Sequence, residues 1–233
     1  MEINAGHDRK EQVQGLLEKY FGYTKFRKGQ WEVIDSILNK RNAIAIFPTG
    51  GGKSLCFQLP ALMMPGTTIV ISPLISLMKD QVDSLVKNGI AASFISSALS
   101  DHEAQRRVKE MEGGRYKIVY IAPERFQSES FTDALKNIHV PFVAIDEAHC
   151  VSQWGHNFRP SYLKIKDLIQ KIGNPVVAAF TATANERVRK DIISLLGLSQ
   201  CRLFIGSFDR PHLDFRIEEP TDPDSYVLDY ARS

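Results

Sequence analysis

The sequence Pro-Thr-Gly-Gly-Gly-Lys-Ser at residues 48–54 constrains the fold of this chain more than any other stretch. It follows an apolar run at residues 43–47 and precedes a helix-compatible run at residues 55–59. A strand, a glycine-rich turn, Lys-Ser and a helix together cradle nucleotide phosphates, because glycines let successive N–H groups point at the anion and the helix begins with unpaired N–H groups. Lys53 can then reach the terminal phosphates, and the Ser54 hydroxyl can bind Mg²⁺.

One position departs from the strict motif, because Phe47 stands where the first glycine is expected. The alternative is a plain loop that happens to contain three consecutive glycines. Gly-Lys-Ser at a strand-to-helix junction favours the phosphate site instead. The predicted phosphate-binding residues are Thr49, Gly50, Gly51, Gly52, Lys53 and Ser54.

Composition excludes several other classes of protein. The 233 residues carry a net charge of +2, so any nucleic-acid surface must be local. The three cysteines, Cys56, Cys150 and Cys201, are far apart and form no CxxC pair, which predicts no disulfide framework, no zinc site and a reducing compartment. No apolar run approaches the length of a membrane span and the N-terminus does not resemble a signal peptide, so we expect no membrane partner.

Apolar runs alternate with helical patterns along the chain. The predicted strands are residues 43–47, 67–71, 92–95, 117–122, 142–145, 176–180 and 201–205. The predicted helices are residues 8–20, 31–39, 101–112, 129–137, 160–172 and 185–196, with further helices after Ser54 and after Pro73. Because the strands are apolar throughout, they must be buried on both faces, which predicts an α/β fold with a mostly parallel sheet and helices on both faces.

Polar or special-geometry segments follow five of these strands. They are the phosphate loop, Ser72-Pro73, Pro123-Glu124-Arg125, Asp146-Glu147 and Thr181-Ala182-Thr183. Ligands of parallel α/β sheets bind at the carboxyl ends of the strands. The sequence therefore predicts that these segments share one edge and form one site.

Asp146 and Glu147 follow a buried strand directly. Adjacent carboxylates repel, so they need different roles: Asp146 can hold Mg²⁺, while Glu147 can activate the water that attacks the γ-phosphate. An exposed acidic turn that caps the next element is the alternative. The phosphate loop upstream favours the catalytic interpretation, since a bound triphosphate needs both its metal and its water.

Residues 149–162 are too long for a simple connection and are rich in aromatic side chains. Aromatic rings with an interleaved guanidinium suit stacking against unpaired bases. The alternative is a loop whose aromatic residues fill the core of the domain, and composition does not separate the two. Because the loop follows the carboxylates directly, a base-contacting loop here could couple strand binding to hydrolysis.

Two further segments keep open alternatives. Thr181 and Thr183 could cap the next helix, or bond His149 or a carboxylate and sense the γ-phosphate. In residues 21–30, the aromatic side chains could close a helix–turn–helix, or Tyr23 could stack on a base while the Gln30 amide pairs with an adenine edge.

Taken together, these segments resemble the RecQ family of superfamily 2 DNA helicases. The resembling segments are residues 21–30, 48–58, 72–82, 120–126, 146–162 and 180–184, and residues 207–211 resemble the passage to a second motor domain. Phe-Gly-x-x-x-Phe-Arg-x-x-Gln combined with Asp-Glu-Ala-His-Cys-x-Ser-Gln-Trp-Gly-His is highly specific. The resemblance implies a RecA-like (P-loop NTPase) domain over residues 1–207 and a crossover segment over residues 208–233.

The resemblance also implies roles for individual residues. It implies ATP and Mg²⁺ as cofactors and single-stranded or duplex DNA as a partner. For the nucleotide, the residues that would recognise adenine are Tyr23, Arg27 and Gln30, the catalytic residues would be Lys53, Asp146 and Glu147, and the metal ligands would be Ser54 and Asp146. For DNA, the sensing loop would contain Gln153, Trp154, His156, Phe158 and Arg159. The residues that would couple the two sites are His149, Thr181 and Thr183.

Within the resemblance, Asn157 stands where the family usually has Asp, and His212 where Asn is common. The family's second RecA-like domain would be a further partner, so we expect this chain alone to bind ATP weakly, to hydrolyse it poorly and not to unwind DNA. The expected location is the bacterial cytoplasm, or the nucleus of a eukaryote. The competing functions are an RNA-directed helicase domain and a nucleotide-dependent binding module without enzymatic activity.

Overall fold

The computed structural model describes residues 2–155, 157–207, 217 and 219–232, with the backbone alone for residues 2–7. The strands are β1 Ala43–Ile46, β2 Thr68–Ile71, β3 Ala92–Ile95, β4 Ile118–Ile121, β5 Phe142–Ile145, β6 Val176–Thr181 and β7 Arg202–Ile205. The helices are α1 Glu2–Phe21, α2 Gln30–Leu38, α3 Lys53–Met63, α4 Ile75–Lys87, α5 Asp101–Glu112, α6 Glu129–Leu135, α7 Ile165–Lys171, α8 Glu186–Leu196 and α9 Pro223–Arg232. Short 3₁₀ helices span Pro123–Gln127, Ala148–Val151 and Pro160–Lys164.

Within the described residues, the strands form one seven-stranded sheet in the order β3-β4-β2-β5-β6-β1-β7. Every pairing is parallel, so all carboxyl ends lie on the same edge, as the sequence predicted. Strand β6 lies between β1 and β5. Because neighbouring strands are about 4.8 Å apart, the ends of β1 and β5 are roughly 10 Å apart, which is a suitable distance for groups that contact the same triphosphate from two sides.

Both faces of the sheet are buried except at the edge strand β7, whose side chains are largely exposed, contrary to the prediction from its apolar sequence. In β1, Ile44 and Ile46 belong to the apolar cluster on one face, while Ala43 and Ala45 belong to the cluster on the other. Side chains alternate between faces along a strand, so an uninterrupted apolar strand requires cover on both sides. This confirms the predicted α/β class with helices on both faces.

The N-terminal helices pack onto the helix that follows the phosphate loop. Val13 and Leu17 of α1, Ile34 of α2 and Leu59 of α3 form a separate buried cluster. This packing holds the segment between α1 and α2 beside the phosphate loop.

Two local features differ clearly from expectation. The predicted helix 160–172 is a 3₁₀ turn over Pro160–Lys164 followed by α7, because Pro160 fixes the start of the segment within a tight turn. Helix α9 was not predicted, and all of its side chains are exposed or nearly so. His156 and residues 208–212, which include the predicted start of the crossover, lie outside the described residues. Among the helices that are described, none is long and apolar enough to span a membrane.

Candidate active site

The phosphate loop lies between β1 and α3 with its backbone curved by glycines. Gly52 has φ 78° and precedes the first residue of α3. The left-handed φ favours glycine at this position, and a Cβ atom there would displace Nε2 of Gln30 from its hydrogen bond. The Gly51 N–H donates to the Pro48 carbonyl at 2.9 Å and closes the loop on itself.

Lys53 is the first residue of α3, and its side chain reaches back over the loop. Its Nζ donates to the carbonyl oxygens of Phe47 at 3.1 Å and Pro48 at 3.4 Å. An ammonium group carries three N–H donors, so one remains for a phosphate oxygen. Lys53 and Ser54 therefore lie together at the N-terminus of α3, where the helix dipole favours an anion.

The segment between α1 and α2 is fastened to the phosphate loop through Gln30. Only 1% of Gln30 is exposed; its Oε1 accepts from the Arg27 N–H at 2.7 Å and its Nε2 donates to the Gly52 carbonyl at 3.0 Å. The Arg27 guanidinium donates to the Gly50 carbonyl. Gln30 is thus a structural link between the two segments and keeps one N–H for a ligand.

A cleft of about 400 Å³ lies beside this link. Its lining includes Tyr23, Arg27, Gln30, Gly52, Lys53 and Ser54, so the structure brings the predicted adenine residues to one cavity with most of the predicted phosphate residues, though not Thr49 or Gly51. Tyr23 is 53% exposed, whereas Phe26 packs against Trp31 with ring centroids 5.7 Å apart. The hydrophobic-cluster interpretation therefore holds for Phe26, and Tyr23 keeps an open ring face.

The opposite side of the cleft carries a polar network that the sequence did not indicate. Gln58 of α3 donates from Nε2 to Gln81 Oε1 at 3.0 Å and to the Tyr120 hydroxyl at 3.2 Å. Gln58 and Gln81 both line the cleft. With the Gln58 donors in use, its carbonyl oxygen and the Gln81 amino group remain for a ligand in the cleft.

The two carboxylates follow β5 in a strained turn. Glu147 has φ 47° and ψ 45°, a left-handed conformation that is costly for a non-glycine residue. Its N–H donates to Asp146 Oδ1 at 3.0 Å, which holds the Asp146 carboxyl in place. The strained turn therefore lies at the residues for which the sequence predicts two different roles, and those roles stay a prediction.

Their electrostatic environments also differ. Burial first, and then the Glu147 carboxylate, raise the pKa of Asp146 to about 6. A hydrogen bond from His149 lowers the pKa of Glu147, so Glu147 is ionised at neutral pH. The Cys150 sulfur and the Glu147 carboxylate raise the pKa of His149 to about 9.

His149 connects Glu147 to the end of β6. Its Nδ1 lies 3.2 Å from Glu147 Oε2 and 2.9 Å from Thr181 Oγ1. The Thr181 hydroxyl donates to the Thr183 carbonyl at 3.1 Å, so towards His149 it acts as an acceptor. Nδ1 therefore carries a proton that both Glu147 Oε2 and Thr181 Oγ1 accept. Thr183 contributes backbone atoms to this network, and its exposed side chain lines a neighbouring cavity of about 390 Å³.

The first half of the aromatic loop lies against α8. Trp154 is 60% exposed, and the Arg187 guanidinium carbon lies 3.4 Å from its ring centroid. Ser152 Oγ donates to Asp191 Oδ2 at 2.5 Å and accepts from the Trp154 N–H at 3.1 Å. Trp154 is therefore held at the surface and does not fill the core.

The second half of the loop is fastened to the strand ends. Arg159 Nη1 donates to the Pro73 carbonyl at 3.0 Å and lies 3.6 Å from Glu124 Oε1. Tyr162 is fully buried and its hydroxyl donates to the Asp146 carbonyl at 2.9 Å. Phe158 is half-buried and Gln153 is exposed. The core-filling alternative thus holds for Tyr162 and not for Trp154, and base contact by Trp154 stays a prediction.

The site meets the chemical requirements for Mg²⁺ without showing a cluster of charged ligands. The described residues contain no group of three or more His, Cys, Asp or Glu side chains placed to hold a metal ion. A triphosphate-bound Mg²⁺ takes most of its ligands from phosphate and water, however, and needs one or two protein oxygens. A raised pKa at Asp146 indicates a buried carboxylate that a cation would stabilise.

A parallel sheet with a phosphate loop after β1 and paired carboxylates after β5 defines a nucleotide-dependent motor domain of the RecA-like class. Residues 27–192 match the family described as DEAD/DEAH box helicase, and the chain belongs to this family. That match spans the phosphate loop, the carboxylates and most of α8.

Curated relatives of the chain are DNA helicases. It is 48% identical to the ATP-dependent DNA helicase RecQ of Bacillus subtilis over 95% of this chain and 38% of that protein. It is 37% identical to the RecQ-like DNA helicase BLM of Xenopus laevis over 97% of this chain and 18% of that protein. The chain therefore spans well under half the length of these relatives, and the expected RecQ resemblance is confirmed.

Solved structures share the fold at low sequence identity. A hypothetical ATP-dependent RNA helicase from Sulfolobus tokodaii superposes with a TM-score of 0.64 at 20% identity, over 84% of this chain and 57% of that one. The DUF1998 helicase MrfA bound to DNA gives a TM-score of 0.66 at 19% identity, over 84% of this chain and 29% of that one. At these identities the likeness confirms the RecA-like fold alone.

Proposed function

We propose that this chain is the ATP-hydrolysing motor domain of a 3′-to-5′ DNA helicase that acts in DNA repair and recombination in the bacterial cytoplasm. The observation that carries the proposal is the contact between Glu147 and His149, which joins the carboxylate beside the phosphate loop to the segment that begins the aromatic loop. The naming of its relatives as ATP-dependent DNA helicases supports DNA as the nucleic acid.

For the nucleotide, the proposal assigns the adenine end to the open ring face of Tyr23, with Arg27 and Gln30 beside it in the same cleft. The phosphates lie against the backbone of the phosphate loop, where Lys53 supplies the positive charge. The Gln30 link couples the two halves of this site, because its amide bonds the Gly52 carbonyl.

Ser54 and Asp146 would hold Mg²⁺, which when bound supplies charge neutralisation at the phosphate oxygens. Glu147 orients the attacking water and accepts its proton, a role that requires an ionised carboxylate at neutral pH. The Nδ1 hydrogen bond from His149 lowers the pKa of Glu147 further and orients its carboxylate. A change at the aromatic loop that moves His149 would therefore alter the base directly.

We further propose that a second RecA-like domain in a longer parent protein completes the cleft and supplies an arginine to the γ-phosphate. The support is that the curated relatives are far longer than the region they share with this chain. An arginine supplied in this way accelerates comparable phosphoryl transfers by about 10³–10⁵-fold. We expect this chain alone to bind ATP weakly and to turn it over slowly.

The test is ATP hydrolysis by this chain and by the parent protein, with and without single-stranded DNA. Glu147→Gln in the parent protein should reduce turnover by about 10²-fold or more while ATP binding persists. Glu186→Gln is the matched control, since Glu186 is exposed and pairs with Lys190 at 2.8 Å on α8. Unchanged turnover in Glu147→Gln would contradict the base assignment.

The same measurements, repeated with single-stranded RNA, separate the competing functions. Stimulation by RNA and not by DNA would indicate an RNA-directed helicase. Nucleotide binding with no turnover in the parent protein would indicate a nucleotide-dependent binding module.

A further inference from the structure

Trp154 and Arg187 form a stacked pair at the surface. The guanidinium carbon of Arg187 lies 3.4 Å from the Trp154 ring centroid, which places the two planar groups in direct contact. Trp154 is nevertheless 60% exposed. An indole has two faces, so with one face against Arg187 the exposed area belongs to the other face and the ring edges.

This arrangement is preformed by α8. Arg187 and Asp191 are four residues apart and therefore lie on the same face of the helix. Asp191 accepts from the Ser152 hydroxyl, and the same hydroxyl accepts from the Trp154 N–H. Two side chains of one helix face thus fix both the backbone and the ring of the loop.

Arg187 has donors to spare. No carboxylate among the described residues pairs with it, although Lys190 and Glu186 on the same helix pair with each other. Stacking uses the flat face of the guanidinium and leaves the N–H groups at its edge, which suit a phosphate oxygen. Arg187 also lies in the first turn of α8, where the helix dipole favours an anion.

We propose that Arg187 extends the predicted DNA contact of Trp154 onto α8 and binds a phosphate of the same single strand. A base stacks on the open face of Trp154, and the guanidinium edge of Arg187 pairs with the phosphate beside that base. The inference rests on the proposed DNA-binding function and adds α8 to the nucleic-acid surface.

The site also has a route to the carboxylates. Helix α8 follows β6, whose last residue, Thr181, bonds His149. A nucleotide held between the loop and α8 therefore contacts two elements that both adjoin His149.

The test uses this chain with Trp31→Phe, which leaves Trp154 as the one tryptophan, since the sequence contains two. An oligothymidylate is titrated at several salt concentrations between about 50 and 200 mM, and affinity is read from anisotropy while Trp154 emission is recorded. The variants are Arg187→Gln and Arg187→Lys. Lys190→Gln is the matched control because it removes one exposed cation from the same helix.

We expect Arg187→Gln to weaken binding about tenfold and to reduce the slope of log affinity against log salt by about 0.7, the value for one phosphate on a single strand. Arg187→Lys should keep the slope but weaken binding. It should also broaden the Trp154 emission band, since an ammonium does not stack on the ring as a planar group. Lys190→Gln should change the slope less than Arg187→Gln does.

Three results would overturn the inference. If Arg187→Gln and Lys190→Gln have the same affinity and slope, Arg187 does not contact the strand. If affinity falls while the slope is unchanged, Arg187 only positions Trp154 and the phosphate contact is wrong. If the Trp31→Phe chain that retains Arg187 binds the oligonucleotide without a change in Trp154 emission, the base contact is wrong, while the ATPase result with Glu147→Gln still tests the proposed function independently.

Discussion

The Thr181 hydroxyl oxygen lies 2.9 Å from Nδ1 of His149 and links the end of β6 to the turn after β5. The same hydroxyl donates to the Thr183 carbonyl and accepts from the Thr183 N–H at 3.3 Å. Thr181 is completely buried, so these bonds are shielded from water. The strand terminus therefore fixes the orientation of His149, and through it the environment of Glu147.

Thr181→Val should uncouple DNA binding from hydrolysis in the parent protein. Valine keeps the shape of threonine but cannot accept a hydrogen bond from His149 Nδ1. The imidazole therefore loses one of the two acceptors of that N–H group. Substitutions within a coupled network change coupling energies by about 0.5–2 kcal/mol, so we expect DNA-stimulated turnover to fall about tenfold. The measurement compares turnover with and without DNA, alongside ATP affinity, which should stay within about twofold.

Thr183→Val is the control for that experiment. Its bonds to Thr181 use backbone atoms, and its side chain is exposed. It should therefore keep DNA stimulation within about twofold, because no hydrogen bond to His149 is lost. Equal loss in both variants would show that the strand end acts through its backbone and not through the buried hydroxyl.

Gln30→Ala should weaken binding of tripolyphosphate as well as ATP. The Gln30 amide holds the Gly52 carbonyl and the Arg27 N–H, so its loss loosens the phosphate loop whether or not a base is present. Two broken bonds of about 1 kcal/mol each correspond to a loss of at least tenfold. Isothermal titration with both ligands measures it.

Tyr23→Ala is the matched variant at the other end of the cleft. The exposed Tyr23 ring makes none of the bonds to the loop, so its removal should weaken ATP binding and leave tripolyphosphate binding unchanged. If both substitutions weaken ATP binding but not tripolyphosphate binding, Gln30 contributes by contacting the base. Its hydrogen bond to the phosphate loop then adds nothing to phosphate affinity.

The sequence predicted the fold because the signals that determine it are local. Uninterrupted apolar strands separated by helical patterns require a sheet buried on both faces, and the structure matches most predicted elements to within one or two residues. The phosphate loop and the carboxylates were predictable for the same reason, since each is a short motif directly after a strand. The structure places both at the predicted edge of the sheet.

Contacts between distant residues gave no such signal. The Gln58–Tyr120 hydrogen bond spans 62 positions, and nothing near Arg187 indicates that it covers Trp154. Composition also could not separate the residues of the aromatic loop, although some of them are exposed and others are buried. Trp154 is held outward by α8, whereas Tyr162 is drawn inward by the Asp146 carbonyl.

Tyr162→Phe should destabilise the domain modestly and report on the attachment of the loop. The Tyr162 hydroxyl is buried and donates to the Asp146 carbonyl, so phenylalanine leaves that acceptor without this donor. We expect the free energy of unfolding to fall by about 1–3 kcal/mol, measured by urea denaturation. An unchanged midpoint would show that the Asp146 carbonyl finds another donor when the hydroxyl is removed.

Gly52→Ala should weaken nucleotide binding, because the left-handed backbone disfavours a side chain there and a Cβ would displace the Gln30 amide. The residue has φ 78°, and its Cβ would collide with the Gln30 amide that holds the loop. The strained conformation alone costs about 1–2 kcal/mol, so we expect a measurable loss of stability as well as of ATP affinity.

Gly15→Ala in α1 is the control, since a Cβ there has nothing within 4 Å. Alanine in a helix interior should raise stability by about 0.5–1 kcal/mol and leave ATP binding unchanged. Thermal unfolding with and without ATP measures both effects, and a Gly52→Ala protein that binds ATP normally would show that the phosphate loop can move away from Gln30.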